Sequence, residues 1–454
     1  MAFSWTNARF CRSADGLLGG QHAIRVCPTL AALLILSVLA MPGVCLAGDL
    51  FGEPVTYGVG LAPFSVAIVD LDGDGDPDLA VANAESDNIS ILRNRGDGTF
   101  GSHITYGTAD GPNGVAAADL DGDGDADLAA ATWRTDNVSI LLNNGDATFS
   151  LYVPYAVGNS DFALALGDLD GDNDVDLVAA NTDSDDVSIL LNNGDGTFAH
   201  QVTYAVGDAP GPGSIAIGDL DNDQDADLAV ANSNSHNVSI LLNNGNGTFA
   251  AQSTYAVAYV PIGLAMGDLN DDGYADLAVS SMATGGVSVL LNNGDATFAA
   301  YVPYTTGPGG FSVGIGDLDC DGDPDLAVAN YSGNSVSVLV NDGNGTFATE
   351  GTYLTEPFPT CLAIADLDDD GDADLAVTSA EGESVAIFPN QSAGIPGDID
   401  GDGDVDLTDL AILLAAYGTC EGEPEYNPDA DLTGDGCVDL SDLAALLANY
   451  GYGT

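Results

Sequence analysis

Aspartate residues recur along this chain in short runs with a fixed internal spacing. The first run, from Asp70 to Asp78, reads DLDGDGDPD and follows the pattern D-x-D-x-D-G-x-x-D. Oxygen ligands that alternate along a tight loop, with glycine at the sharp turn, can surround a hard cation with carboxylates and one backbone carbonyl. A solvated acidic turn is the alternative, but five like charges within nine residues repel one another without a counter-ion. The pattern therefore predicts a calcium site.

The same pattern occurs seven times, with its first Asp at positions 70, 119, 168, 219, 268, 317 and 366. Positions 1, 3, 5 and 9 of each copy supply side-chain oxygens, and position 7 supplies its backbone carbonyl. The predicted ligands, unit by unit, are Asp70, Asp72, Asp74, Asp76 and Asp78; Asp119, Asp121, Asp123, Asp125 and Asp127; Asp168, Asp170, Asp172, Asp174 and Asp176; Asp219, Asp221, Asp223, Asp225 and Asp227; Asp268, Asn270, Asp272, Tyr274 and Asp276; Asp317, Asp319, Asp321, Asp323 and Asp325; Asp366, Asp368, Asp370, Asp372 and Asp374. The repetition predicts sites for up to about seven calcium ions.

Three of the units depart from the pattern. Unit 3 has Asn173 at position 6, where glycine is expected, and asparagine still tolerates a left-handed backbone. Unit 4 has Gln224 there, which tolerates that backbone poorly. Unit 5 has Asn270 at position 3 and loses one formal charge. We therefore expect sites 4 and 5 to be the weakest.

The segments between the Asp runs read as short β-strands. In the first unit, apolar runs over 79–83 and 89–92 are separated by a variable polar stretch. A hairpin signal of the type N-N-G-D-G-T-F, an alternating strand that ends in Thr-Tyr, and a Gly/Pro loop follow in most units. Four short strands per unit are typical of a propeller blade.

The two ends of the repeat region complement each other. The seventh unit stops at Asn390 without a Gly-Thr-Phe segment or an outer strand, whereas residues 51–57 (FGEPVTY) match residues 100–106 (FGSHITY) of the first unit. An N-terminal strand that completes the seventh blade would satisfy two sheet edges at once. The sequence therefore predicts an all-β, seven-bladed β-propeller over residues 49–390, closed by an N-terminal strand.

The motif, the period and the seven copies resemble FG-GAP/VCBS repeats, which form the seven-bladed propeller of integrin α-subunits. The resemblance covers residues 49–390 and is specific, because the motif, the hairpin and the closure coincide. It implies a calcium-stabilised extracellular recognition platform. It does not imply integrin function, because the sequence contains no pattern of a transmembrane anchor or of a partner subunit.

A different pattern follows residues 391–396, which contain Ser, Gly and Pro and are interpreted as a linker. Two loop-helix copies, 33 residues apart, have the ligand spacing of an EF-hand loop. Their predicted ligands are Asp398, Asp400, Asp402, Asp404, Asp406 and Asp409 in the first copy, and Asp431, Thr433, Asp435, Cys437, Asp439 and Asp442 in the second. Thr433 at position 3 weakens the second of these two predicted calcium sites.

This C-terminal unit, residues 397–454, resembles a type I dockerin, with Asp in place of the usual Glu at position 12 of each loop. The resemblance implies a small α-helical domain that docks to a cohesin-type partner on a scaffold or cell surface, usually in polysaccharide-degrading systems. A calcium-clamped stability cap without a partner is the alternative.

The first 47 residues have the pattern of a cleaved secretory signal peptide. Arg9, Arg12 and Arg25 precede an apolar run over 30–40 and a small-x-small site at 45–47. The remaining chain has 69 acidic residues, three Arg and no Lys. Nucleic acid and anionic membranes are excluded as partners, because both require cationic patches. We expect an exported, extracellular protein, associated with the cell surface if it docks there.

Four cysteines remain after residue 47, and export permits disulfides. Cys420 and Cys437 lie close in sequence within one small unit and are the predicted pair. Cys320 with Cys361 is a guess, and four free cysteines are the alternative.

No catalytic constellation is visible in the sequence. His103, His200 and His236 lie in different units without metal-ligand spacing, and no Ser/His/Asp set, Lys nucleophile or phosphate loop is present. Nearly all the Asp residues that could serve as an acid or base are already predicted calcium ligands. Catalysis is therefore unsupported.

The loops that vary between the units favour a binding function. In a four-stranded antiparallel blade, the Asp loop and the hairpin share one face, so the B–C and D–A loops share the other. Those loops include Trp133, Arg134, Tyr259 and Tyr331, and variable loops on a rigid scaffold commonly carry recognition. We interpret the protein as a secreted, calcium-binding module for adhesion or for recognition of glycan or protein ligands. A dockerin-targeted extracellular hydrolase or lyase acting on polysaccharide is the alternative.

Overall fold

The computed structural model describes residues 50–159, 161–207 and 211–391, and in the C-terminal region residues 399, 407–420, 426–427, 430, 432, 437–438 and 440–449. The predicted signal peptide (1–47) and linker residues 392–396 lie outside the described residues. Most predicted ligands of the C-terminal loops lie outside them as well. No described helix is long and apolar enough to cross a membrane.

In the described part of the chain, 28 strands form seven four-stranded antiparallel blades. The A strands are β2 (Pro63–Val69), β6 (Pro112–Ala118), β10 (Asp161–Gly167), β14 (Pro212–Gly218), β18 (Pro261–Gly267), β22 (Gly310–Gly316) and β26 (Pro359–Ala365). The B strands are β3 (Asp78–Asn83), β7 (Asp127–Thr132), β11 (Asp176–Asn181), β15 (Asp227–Asn232), β19 (Asp276–Ser281), β23 (Asp325–Asn330) and β27 (Asp374–Ser379). The C strands are β4 (Asn88–Leu92), β8 (Asn137–Leu141), β12 (Asp186–Leu190), β16 (Asn237–Leu241), β20 (Gly286–Leu290), β24 (Ser335–Asn341) and β28 (Ser384–Phe388). The D strands are β5 (Ile104–Gly107), β9 (Val153–Ala156), β13 (Val202–Ala205), β17 (Ser253–Ala256), β21 (Val302–Thr305), β25 (Phe347–Leu354) and, in the seventh blade, β1 (Val55–Gly58).

The blades form a closed ring. The A strands of neighbouring blades contact one another around the whole ring, including β26 with β2. The seventh blade has the order β26-β27-β28-β1, and Val55 of β1 lies opposite Ile387 of β28. The predicted seven-bladed propeller and its closure by an N-terminal strand are therefore confirmed.

The N-terminal segment supplies more than a strand. Phe51 forms a β-bridge with Asn390, as Phe100 does with Asn94 in the first blade. The ring of Phe51 is buried and lies 5.2 Å from the ring of Tyr353 in the sixth blade. The segment therefore provides both the outer strand and the hairpin phenylalanine that the seventh unit lacks.

The hydrophobic cores lie between adjacent blades. All residues of the B strand β3 are buried, because both faces of the strand are covered by neighbouring strands and blades. Tyrosines of the D strands extend this packing to the outer edge. The Tyr106 ring lies 5.1 Å from the Phe149 ring of the next blade, edge to face, and its hydroxyl donates to the Ala147 carbonyl at 3.2 Å. These contacts make each blade depend on its neighbours.

The described residues of the C-terminal unit form two helices, α1 (Leu407–Ala416) and α2 (Leu440–Asn449). Their shared core includes Leu413 and Leu446, both fully buried. Here the predicted disulfide between Cys420 and Cys437 is confirmed.

The guessed pairing of Cys320 with Cys361 is wrong. Cys320 lies in an exposed Asp loop and Cys361 lies in the inner strand β26, so no bond joins them.

Candidate metal sites

The seven Asp loops connect strands A and B and lie on one face of the ring with the C–D hairpins, which together we call the Asp face. The hairpin contacts its own Asp loop in every blade; in the first, the Asn94 backbone N–H donates to Asp78 Oδ1 at 2.8 Å. The B–C and D–A loops form the opposite face, which we call the variable face. There the Trp133 N–H of a B–C loop donates to the Gly111 carbonyl of a D–A loop at 3.1 Å.

The Asp at position 1 folds each loop around its own side chain. In the first blade, Asp70 accepts the Gly73 N–H at 2.8 Å and the Gly75 N–H at 3.0 Å. The equivalent bond from the residue at position 6 recurs in all seven units, at 2.7–3.1 Å. A carboxylate oxygen that accepts one such bond retains a lone pair for a cation.

The predicted side-chain ligands converge. One oxygen from each member of a triad lies within 4.8 Å of the others in the first, second, third, fourth and sixth units. The triads are Asp70, Asp72 and Asp78; Asp119, Asp121 and Asp123; Asp168, Asp170 and Asp176; Asp219, Asp221 and Asp227; and Asp317, Asp319 and Asp325. The loops therefore bring positions 1, 3 and 9 together in most of these units, and positions 1, 3 and 5 in the second.

Several carboxylate oxygens of the Asp loops are buried without a hydrogen-bond donor among the described residues. They are the Oδ1 atoms of Asp72, Asp221, Asp317, Asp366 and Asp368. A buried carboxylate oxygen without a donor is costly unless a cation compensates it. The side chains in the clusters offer carboxylate oxygens, and oxygen atoms are the ligands that calcium prefers. The residues present therefore fit a hard divalent cation.

The Asp at position 9 is the deepest member of each cluster. Asp78 is 1% exposed, and its two oxygens accept the backbone N–H groups of Leu71 and Asn94. Burial raises the pKa of this carboxyl in every blade, to about 6 for Asp78, Asp127, Asp176, Asp227 and Asp276 and to about 7 for Asp325 and Asp374. A bound cation would favour the ionised form.

The ionised form of the Asp side chain at position 3 is also destabilised in six of the loops. Burial, and then the neighbouring carboxylate at position 5, raise the pKa of Asp72, Asp121, Asp170 and Asp221, and raise that of Asp319 and Asp368 to about 6. Crowding of this kind follows from several carboxylates held in one small loop.

The left-handed backbone expected at position 6 is present in every unit, including those without glycine. Its φ is 98° at Gly75, 71° at Asn173 and 76° at Gln224. This conformation is sterically unfavourable for a residue with a Cβ, and more so for glutamine than for asparagine. The sequence did not reveal that position 4 is left-handed too: φ is 77° at Gly73 and 65° at Asn222. The fourth loop therefore carries two left-handed residues that are not glycine.

The side chain at position 7 lies outside the cluster. An added Cβ on the hairpin residue Gly96 would lie 2.6 Å from Asp76 Oδ2, and Tyr274 occupies the corresponding place beside Gly294. The side chain at position 7 therefore packs on the hairpin, and the backbone carbonyl of this residue remains the predicted calcium ligand.

The structure adds a residue whose role the sequence analysis missed. The first Asn of each hairpin, interpreted there as part of a turn signal, crosses to the preceding blade. Asn143 Nδ2 donates to the Leu71 carbonyl at 2.8 Å, and Asn94 Nδ2 makes the ring-closing bond to the Leu367 carbonyl at 2.7 Å. The same bond is made by Asn192, Asn243, Asn292, Asn341 and Asn390 at 2.8–2.9 Å. Seven asparagines thus link each Asp loop to the next blade.

The C-terminal unit shows three of its predicted ligands in the described residues. Asp409 and Asp442, at position 12 of the two loops, are fully buried in the first turns of α1 and α2. Asp409 Oδ1 accepts the Ile399 N–H at 2.6 Å, which ties helix and loop together. Cys437, at position 7 of the second loop, is in the disulfide. The other predicted ligands of these loops lie outside the described residues.

Family models identify both parts of the chain. The model described as FG-GAP-like repeat matches residues 70–130, 168–230, 219–279, 268–328 and 317–377, which together exceed half of the sequence. The chain belongs to the FG-GAP-like repeat family. The model described as dockerin type I domain matches residues 396–450 of this FG-GAP protein. Dockerin domains bind calcium and typically bind cohesins, and the combination indicates an extracellular, dockerin-bearing protein.

Solved structures are similar in fold to the FG-GAP protein. BBS1N in complex with ARL6DN is 15% identical, with a TM-score of 0.54 over 75% of this chain and 97% of that chain. A streptogramin B lyase is 12% identical, with a TM-score of 0.55 over 76% of this chain and 100% of that chain. Virginiamycin B lyase from Staphylococcus aureus, also 12% identical, gives 0.52 over 74% and 98%. At these identities the likeness concerns the fold alone. No curated protein matches the sequence significantly.

Proposed function

We propose that this protein is a secreted recognition or adhesion module that binds glycan or cell-surface ligands on its variable face and docks through its C-terminal domain. In this proposal the seven Asp loops bind calcium and hold the ring rigid from the Asp face. The convergence of buried Asp oxygens, several of them without a hydrogen-bond donor among the residues that the structure describes, is the observation that supports the calcium assignment. The C-terminal loops bind up to about two further calcium ions.

An aromatic row on the variable face supports ligand binding there. Phe64 and Phe311 lie near the start of inner strands, and their ring centroids are 6.4 Å apart. Phe311 stacks on Tyr331 at 5.5 Å, and Tyr331 lies 4.8 Å from Phe358. All four side chains are partly exposed. Flat rings of this kind can stack on the apolar face of a sugar ring.

The aromatic row borders a cavity in the centre of the ring. The cavity has a volume of about 160 Å³ and is lined by the inner strands of all seven blades, including Asn113, Ser214 and Thr360. Among the described residues, none that lines the cavity is charged. The described arginine of the variable face, Arg134, is paired with Glu85. These features favour a neutral ligand over an anionic one.

A glycan array with the calcium-loaded full chain tests the proposal. Tyr331→Ala should lose most binding, because it removes the ring that contacts both Phe311 and Phe358. Leu151→Ala is the matched control, because Leu151 is 91% exposed in the segment between β8 and β9, away from the row. Equal loss in both variants, or no binding to any glycan, would contradict recognition on this face.

The same incubations distinguish recognition from catalysis. Release of reducing sugars or of unsaturated products on a bound glycan would favour the dockerin-targeted hydrolase or lyase. Binding without turnover supports the recognition module.

Duplicated exposed leucines support docking by the C-terminal domain. Leu407 and Leu440 begin the two helices and are 69% and 68% exposed, and Leu414 and Leu447 are each 53% exposed. A cohesin panel on a biosensor surface tests the docking. Leu414→Ala combined with Leu447→Ala should weaken binding to the cohesin that captures the parent chain. If no cohesin binds the parent chain, the domain is better explained as a stability cap.

In this proposal the propeller spans residues 49–390, the linker spans residues 391–396 and the docking domain spans residues 397–454. A fragment of 397–454 should fold alone when calcium is present, since a domain of this size has a marginal core and depends on metal and its disulfide. Circular dichroism of this fragment with calcium and with EDTA tests whether its folding depends on metal. Helical signal that is equally strong in EDTA would show that the Asp loops of this domain are not structural metal sites.

A further inference from the structure

The first blade differs from the others at a residue beside its Asp loop. The residue immediately before the hairpin Asn is Arg93 in this blade. The equivalent residues are Leu142, Leu191, Leu242 and Leu291 in blades two to five, Val340 in the sixth and Pro389 in the seventh. The side chain before the hairpin Asn lies next to position 3 of the Asp loop of its own blade. In the second blade, Leu142 and the Asp121 Cβ lie 3.0 Å and 3.2 Å from a Cβ added at Gly196, which belongs to the hairpin of the third blade.

Arg93 contacts a predicted calcium ligand directly. Its Nη1 lies 3.2 Å from Asp72 Oδ2, and its Nη2 donates to the Asp146 carbonyl of the second blade. The Asp72 side chain is only 15% exposed, and Arg93 is 39% exposed. Asp72 Oδ1, the other oxygen, is buried without a donor among the described residues. The guanidinium and the cluster of Asp70, Asp72 and Asp78 therefore share one carboxylate.

We propose that Arg93 competes with calcium for Asp72 and makes the first propeller site weaker than the second, although both loops have the full set of predicted ligands. The inference rests on the proposed assignment of calcium to the Asp loops. A guanidinium keeps its charge at every physiological pH, so it cannot yield to calcium by losing a proton. Calcium must either displace Arg93, losing its contacts to Asp72 and the Asp146 carbonyl, or bind beside a fixed positive charge. Both routes lower the affinity.

The test replaces Arg93 by the residue that four other blades carry. Bound calcium per chain is measured by equilibrium dialysis and elemental analysis over a series of free calcium concentrations, for the full chain and for Arg93→Leu. The affinity of one site should rise about two- to fivefold, which is the range for a partly exposed ion pair. The difference between the two curves should peak at intermediate calcium, stay below one ion per chain and vanish at saturation.

Arg95→Leu is the matched control. Arg95 lies two residues further along the same hairpin, is exposed, and contacts Thr99 at 3.4 Å rather than the Asp cluster. This variant removes the same charge without releasing a ligand, so its curve should follow the parent curve. The reciprocal variant, Leu142→Arg, should lower the occupancy of one site in the second blade.

Three results would overturn the inference. These are an Arg93→Leu curve that follows or falls below the parent curve, an equal rise in Arg95→Leu, and a lower melting temperature of Arg93→Leu in saturating calcium. The last result would show that Arg93 supports the loaded site. If the parent chain binds no calcium in the propeller, the assignment itself fails; if it binds calcium and Arg93→Leu changes nothing, the competition alone fails.

Discussion

Removal of the inter-blade bond made by Asn143 should destabilise the ring far more than removal of the adjacent asparagine. Asn143 is 5% exposed; its Nδ2 donates to the carbonyls of Leu71 and Ala126 at 2.8 and 3.0 Å, and its Oδ1 accepts the Gly145 N–H at 3.1 Å. At a net value of about 1 kcal/mol per bond, the three bonds stabilise the fold by about 3 kcal/mol. The Leu71 carbonyl keeps a second donor, the Ala147 N–H at 2.9 Å, so Asn143→Ala should cost about 2–3 kcal/mol.

The neighbouring Asn144 provides the control. It is exposed, and its Nδ2 donates within the same turn to Thr148, at 2.8 Å to the carbonyl. Asn144→Ala should therefore change the free energy of unfolding by about 0.5 kcal/mol or less. Urea unfolding of both variants in saturating calcium measures the difference. Bound calcium should stay unchanged in Asn143→Ala, because alanine keeps the backbone N–H that Asp127 Oδ1 accepts at 2.7 Å. Equal destabilisation by the two variants would refute the role of Asn143 as a link between blades.

Three further predictions address the loops, the closure and the charge of the ring. Gln224→Gly should stabilise the protein by about 1 kcal/mol, since it relieves a left-handed glutamine (φ 76°), and Asn173→Gly should gain less; equal gains in thermal melts would count against backbone strain in the fourth loop. Deletion of residues 51–57 should promote aggregation, because it removes most of β1 and leaves β28 as an unpaired edge; an unchanged melting temperature and a monodisperse sample would argue against closure by this segment. In EDTA the protein should melt at a lower temperature at pH 7.5 than at pH 5. Burial raises the pKa of the Asp residues at position 9 to about 6 or 7, so their contribution to stability is complete below the unfolded value of 3.8 and is lost as the pH rises through the folded one. A melting temperature in EDTA that rises over this interval would contradict the burial of ionised carboxylates.

The sequence predicted those features that depend on local pattern. The Asp loops, the four strands per unit and the closure by residues 51–57 each repeat or match a short motif, so they could be derived without knowledge of neighbours. Contacts between blades could not be derived in this way. Asn143 and Leu71 are 72 residues apart, and nothing in the N-N-G hairpin signal shows that its first side chain reaches another blade.

The same limit applies to Arg93. It reads as one more polar residue near a hairpin until the structure places its guanidinium on Asp72. The guess of a bond between Cys320 and Cys361 failed for a related reason, since parity of the cysteine count gives no information on which loop or strand holds each thiol.

Calcium content is the measurement that tests the central claim most directly. The full chain is dialysed against saturating calcium, washed free of unbound ion and analysed for metal per chain, with an EDTA-treated sample as the reference. The account predicts up to about nine ions, of which up to about seven belong to the propeller loops and up to about two to the C-terminal loops. It also predicts a melting temperature many degrees lower after EDTA, because calcium binds the folded state. Fewer than about four ions per chain, with the same melting temperature in EDTA, would contradict a propeller held together by calcium in its Asp loops.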